Sequence, residues 1–127
     1  MERNSFKALE TISLQVALPN GEPTDFVIQL QDTEAKPVKR VLSKWNKISN
    51  QTGRKGLSLE QKEQFSIEML CAVIVDWEGF TEQGVEIECS DEEKRKLLTD
   101  PALRFVRQQI DDTVGEVSNF LAMNGSN

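Results

Sequence analysis

The chain has 127 residues, with 15 basic and 21 acidic side chains and no histidine, for a net charge of −6. That length suits one domain with a modest core of its own, and a hydrophobic content of 38% is too high for wholesale disorder. The lack of histidine excludes a Cys/His zinc site, a Cys–His nucleophile and a Ser–His–Asp triad. No apolar run approaches the roughly 18–20 residues of a membrane helix, and MERNSFKALE has no apolar signal core. The expectation is a cytoplasmic protein without membrane contact.

Residues 12 to 18, ISLQVAL, alternate Ile12, Leu14, Val16 and Leu18 with Ser13, Gln15 and Ala17. After PNGEPT the alternation resumes in DFVIQLQ with Phe26, Ile28 and Leu30. Period-2 patterning on both sides of a Pro/Asn/Gly turn predicts a β-hairpin over 12–30 with one buried face.

From Pro37 the period becomes helical. Val38, Val41, Leu42, Trp45 and Ile48 form an apolar stripe, with proline tolerated in the first turn. SNQTGRKG, residues 49–56, breaks the pattern. Ser58 and Gln61 then form a capping box for a second helix carrying Leu59, Phe65, Met69, Ala72 and Val73. Its last turns are apolar on nearly every side through Ile74 and Val75 and are expected to stop near Gly79. Cys71 lies in this run as a small hydrophobe, and Cys89 falls on an extended segment. No disulfide is expected between them in a reducing compartment.

FTEQGVEIEC, residues 80–89, reads as a connector turning at Gly84. Ser90 and Glu93 make a second capping box, opening a short helix with three acids in its first turn. Asp100-Pro101 is an N-cap followed by the favoured N1 residue. The final helix carries Ala102, Leu103, Val106, Ile110, Val114, Val117 and Leu121. The expected fold is mainly α with an N-terminal β-hairpin, about four helices packed on two strands. It forms a single domain over 1–122, with a helical body at 37–122 and a flexible tail at 123–127.

Within VIVDWEGF, residues 73–80, Asp76 and Glu78 flank Trp77 and raise the question of a catalytic carboxylate pair. On a helix they would point about 200° apart and could not converge. They are expected to be ordinary side chains at a helix end, with Val73 and Trp77 buried and Gly79 as the stop signal. CSDEEKRK lacks the ligand register of a calcium loop. No catalytic, cofactor or metal residues are assigned.

Charge is the informative feature. Residues 36–55 hold seven basic side chains and no acid, leaving eight basic against 21 acidic residues elsewhere. The interaction residues singled out are Lys36, Lys39, Arg40, Lys44, Lys47, Arg54 and Lys55 on the positive side, and Glu82, Glu86 and Glu88 on the negative. Trp45 falls on the apolar stripe, and the pI of about 4.7 works against phosphate binding. A protein partner or a second copy of the chain is therefore favoured over nucleic acid.

The run AVIVDWEGFTEQGVEIECSDEEKRKLLTDPAL resembles the tail assembly chaperones of long-tailed, non-contractile phages. The resemblance rests on Trp77-Glu78-Gly79, Gly84, the Ser90–Glu93 capping box, Leu97-Leu98 and the helix from Pro101, over roughly residues 59–122. It implies a non-enzymatic assembly factor that coats and solubilises the tape measure protein, helps recruit tail tube subunits and is absent from the finished virion. It also implies a longer product made by translational frameshifting near the end of the reading frame. A tape measure far longer than this domain would need many copies, and two patches of opposite charge make heterologous self-association. The other function classes are a small virion structural or connector protein and a nucleic-acid-directed regulator using segment 36–55.

Overall fold

A computed structural model describes residues 11–125, with side chains over 11–115. Strands β1 (Thr11–Ala17) and β2 (Pro23–Gln31) form the expected antiparallel hairpin. Val16, Phe26, Ile28 and Leu30 are buried and Ile12 and Leu14 half-buried, whereas Ser13 and Gln15 face out. Leu18, the last member of the alternation, lies beyond the strand and is 39% exposed.

Helix α1 (Lys36–Thr52) follows, with Val38 and Trp45 buried, then a 3-10 turn (Gly53–Lys55). Helix α2 (Leu59–Val73) opens on the expected capping box: Ser58 Oγ accepts from the Gln61 N–H, and Gln61 Oε1 accepts from the Ser58 N–H.

The helix expected to run to Gly79 ends at Val73. Ile74 is already extended (φ −74°, ψ 115°), and Ile74–Glu78 forms β3, antiparallel to β2. β-branched Ile74 and Val75 and aromatic Trp77 suit a pleated, half-buried surface, and β2 presents a free ladder edge to receive them. The sheet order is β1-β2-β3. Its inner rows, read from the register, are Ile12–Leu30–Ile74 and Leu14–Ile28–Trp77. A register shift between Gln29 and Leu30 leaves Val75 bulged and 48% exposed.

A second hairpin, β4 (Thr81–Glu82) and β5 (Val85–Glu86), replaces the expected connector. Its two-residue turn has positive φ at both Gln83 (51°) and Gly84 (80°), the requirement of a type I′ turn. Helix α3 (Asp91–Thr99) is N-capped by Ser90, whose Oγ accepts from the Glu93 N–H. Glu93 does not complete the box. Its carboxylate faces Lys96 at 3.4 Å instead. Asp100 caps a 3-10 turn (Pro101–Leu103), and α4 (Arg104–Gly125) begins at Arg104 rather than Pro101.

The expected fold class is therefore corrected. Strands also follow helices, so the described residues form an α+β arrangement with four α-helices and two small antiparallel sheets, not helices laid on one hairpin. α1 packs on α2, α2 on α3, α3 on α4, and α4 returns to β1, closing the core around Ile28, Val73, Leu97, Val106 and Ile110. The side chains of the expected stripe residues Val117 and Leu121 and of 123–125 in the expected tail, and residues 126–127 altogether, lie outside what the structure describes.

Candidate functional site

Helix α1 separates its two faces sharply. Val38 and Trp45, seven residues apart, point into the protein, and at 100° per residue Lys36, Arg40, Ser43 and Lys47 fall on the opposite side. Lys36, Lys39, Arg40, Lys44 and Lys47 line one shallow groove with Ser43. The structure thus brings together five of the seven cations named from sequence. Arg54 and Lys55 sit apart, exposed in the 3-10 turn beyond the helix end, where Gly53 and Gly56 adopt positive φ.

Two of the five cations already hold carboxylates. Lys39 Nζ lies 2.9 Å from Glu34 Oε2, a hydrogen bond and charge that raise the lysine pKa. Lys44 Nζ is 2.7 Å from Glu68 Oε1, while the Trp45 indole N–H donates to the other Glu68 oxygen. Partial burial works to raise the Glu68 carboxyl's pKa. The Lys44 and Trp45 bonds, with the nearby charge of Arg95, outweigh it and hold the group below the usual range. Trp45 also stacks on Phe65 at 5.6 Å between centroids, so it belongs to the α1–α2 contact and not to the basic face. Lys36, Arg40 and Lys47 have no ion pair among the described residues.

The acidic counterpart lies on β3 and the second hairpin. Glu82, Glu86 and Glu88 are all exposed, as is Val85 beside them at 70%. Glu86 also has an internal task, since its Oε1 accepts from the Gly79 N–H at 2.9 Å and ties the hairpin to the end of β3. Asp76 and Glu78 join this surface. Because they stand on a strand and not on a helix, their side chains share one face, and both are exposed. The helix-based separation expected for them is wrong, and the β-branched Ile74-Val75 pair just before them is the signal that would have placed them. Asp76 Oδ1 accepts from the Trp77 N–H at 2.9 Å.

Trp77 is 6% exposed and meets Phe26 and Phe80 edge-on, while Phe26 and Phe80 stack at 4.6 Å. Its indole N–H donates to the Ile87 carbonyl at 2.8 Å, holding the chain after β5 against the sheet. Gly79 (φ 76°) ends β3, and a Cβ there would collide with the Asp25 carbonyl. The aromatic cluster thus fixes the acidic hairpin much as Glu68 fixes the base of the cationic groove.

Cys71 and Cys89 are free and half-buried. Among the described residues no group of three or more Cys, Asp or Glu side chains could hold a metal ion, and no helix is long and apolar enough to cross a membrane. Comparison with protein-family models, curated proteins and solved structures finds no match to this chain.

Proposed function

We propose that this chain is a non-enzymatic tail assembly chaperone of a long-tailed phage. It binds the tape measure protein, keeps it soluble in the host cytoplasm and helps recruit tail tube subunits. Copies associate with one another through surfaces of opposite charge. The reading is supported by the resemblance over residues 59–122. The observation that carries it is that cations gather along α1 while exposed carboxylates gather on β3 and on and just after the β4–β5 hairpin. Two different complementary patches favour head-to-tail contacts that run on along a long client.

Co-expression tests the reading. A tape measure protein that is insoluble alone should become soluble and co-purify when this chain is supplied, and the chain should be missing from purified particles. A tape measure that stays insoluble would sink the chaperone reading. Stoichiometric recovery of the chain in particles would make it a virion structural protein instead.

A further inference from the structure

We propose that the basic face of α1 is electrostatically strained in the free chain and that docking of an acidic surface relieves the strain, so that contact formation and α1 stability are coupled. The inference rests on the reading above for its occupant, the acidic β4–β5 hairpin of a second copy.

Two other helices begin with a side-chain cap and an acid in the first turn. α2 begins with a capping box and Glu60 in its first turn, and α3 with a Ser90 cap followed by Asp91, Glu92 and Glu93. α1 breaks that pattern. Its N-cap, Ala35, offers no side-chain bond, and its first turn has no acid. Lys36 instead occupies the first helical position, at the positive end of the helix dipole. Lys36 and Arg40, and Arg40 and Lys44, stand four residues apart, a spacing at which like charges destabilise a helix.

Compensation is partial. Asp32 and Glu34 precede the helix, Glu34 pairs with Lys39, and Glu68 pairs with Lys44. Lys36, Arg40 and Lys47 stay unpaired among the described residues, along about 16 Å of helix. A local rule broken without an internal gain points to a role outside the fold.

The hairpin suits that role. Glu82 on the hairpin and Glu88 just after it are exposed carboxylates, and Val85, 70% exposed, can lie on the methylene stems of the lysines. Nucleic acid fits less well, because the one aromatic ring of α1 is turned inward on Phe65 and the face has no stacking surface for bases.

Lys36→Glu tests the coupling, because it places an acid where the helix dipole favours one and removes a cation from the groove. In dilute, monomeric protein its thermal midpoint should rise by about 2–4 °C, while association at high concentration weakens. Polyglutamate should raise the wild-type midpoint more than the variant's. A variant midpoint that falls or does not move overturns the coupling; if association is nevertheless lost, the docking surface stands without it. A raised midpoint with wild-type association removes α1 from the contact and overturns the proposal. A short DNA duplex that stabilises wild type more than polyglutamate at equal charge would also overturn it, in favour of a nucleic-acid occupant.

Discussion

Gln109 on α4 holds both backbone groups of Ala17, 92 positions earlier in the chain: the Ala17 N–H donates to Gln109 Oε1 at 2.8 Å, and Gln109 Nε2 donates to the Ala17 carbonyl at 2.7 Å. Ala17 sits at the end of edge strand β1 opposite Pro23, which has no N–H to give. One amide side chain thus does for this edge what a neighbouring strand would do, and an unpaired edge is a template for unwanted pairing. The opposite edge is treated alike. The N–H groups of Trp77 on β3 and of Gly79 just after it are taken by the carboxylates of Asp76 and Glu86. The proposed self-association through opposite charges therefore need not compete with pairing at these positions.

Gln109→Ala should cost about 1–3 kcal/mol, since it strands a donor and an acceptor that are partly buried. Gln109→Glu should cost at least as much, because it keeps an acceptor but sets a carboxylate against the Ala17 carbonyl. Denaturant midpoints would rank the two. Hydrogen exchange should speed up at Ala17 and leave Ile28 protected. Equal stability of both variants and wild type would make the contact incidental.

Trp77→Ala should cost about 3–5 kcal/mol through the cavity left among Phe26, Ile28 and Phe80, and it also strands the Ile87 carbonyl. Gly79→Ala should be harmful for a different reason, combining an unfavourable φ with a collision against the Asp25 carbonyl. Asp76→Asn keeps an acceptor for the Trp77 N–H and should change stability little. Thermal melts of the three variants check the order, and a Trp77→Ala midpoint at the wild-type value would remove the anchor role.

The hairpin, both serine caps and the cationic run were legible because each is written in local order: alternation, a Ser-x-x-Gln spacing, an acid-free stretch. β3 was not. The apolar run from Met69 to Val75 satisfies a buried helix as well as a buried strand, and what decides is the free edge of β2, a partner more than forty residues away. The β-branched Ile74-Val75 pair was the available hint. The same misreading hid two of the five carboxylates of the acidic surface, because on a helix Asp76 and Glu78 diverge and on a strand they align.

The two cysteines should react slowly near neutral pH. Burial pushes the thiol pKa of both Cys71 and Cys89 up from the ordinary value of 9.0, and the nearby charges of Lys94 and, at Cys71, Arg95 only partly offset it. The thiolate is the nucleophile, so alkylation of the folded chain should lag behind the unfolded chain and accelerate only at alkaline pH. A pKa raised on folding contributes stability that is present below the unfolded value and is lost as pH rises through the folded one. Alkylation rates measured across pH with and without denaturant check this. Equal rates in both states would show that the thiols are open to solvent.

Self-association through α1 should weaken with salt. Exposed ion pairs contribute only about 0–1 kcal/mol each and are screened, so several must act together, with Val85 adding apolar contact. Sedimentation of the wild type should show higher assemblies at low salt and mainly monomer near ~0.5 M, where the screening length is a few ångströms. The choice of reversal variant depends on the structure. Reversing Lys44 would set a new carboxylate against Glu68 and disturb the Trp45 bond, and reversing Lys39 would break its pair with Glu34. Lys36→Glu, Arg40→Glu and Lys47→Glu together avoid both, remove the unpaired cations of the groove and should yield monomers that keep the wild-type fold. A wild type that stays monomeric at low salt and high concentration would eliminate this contact. A folded triple variant that assembles like the wild type would assign the groove to another partner.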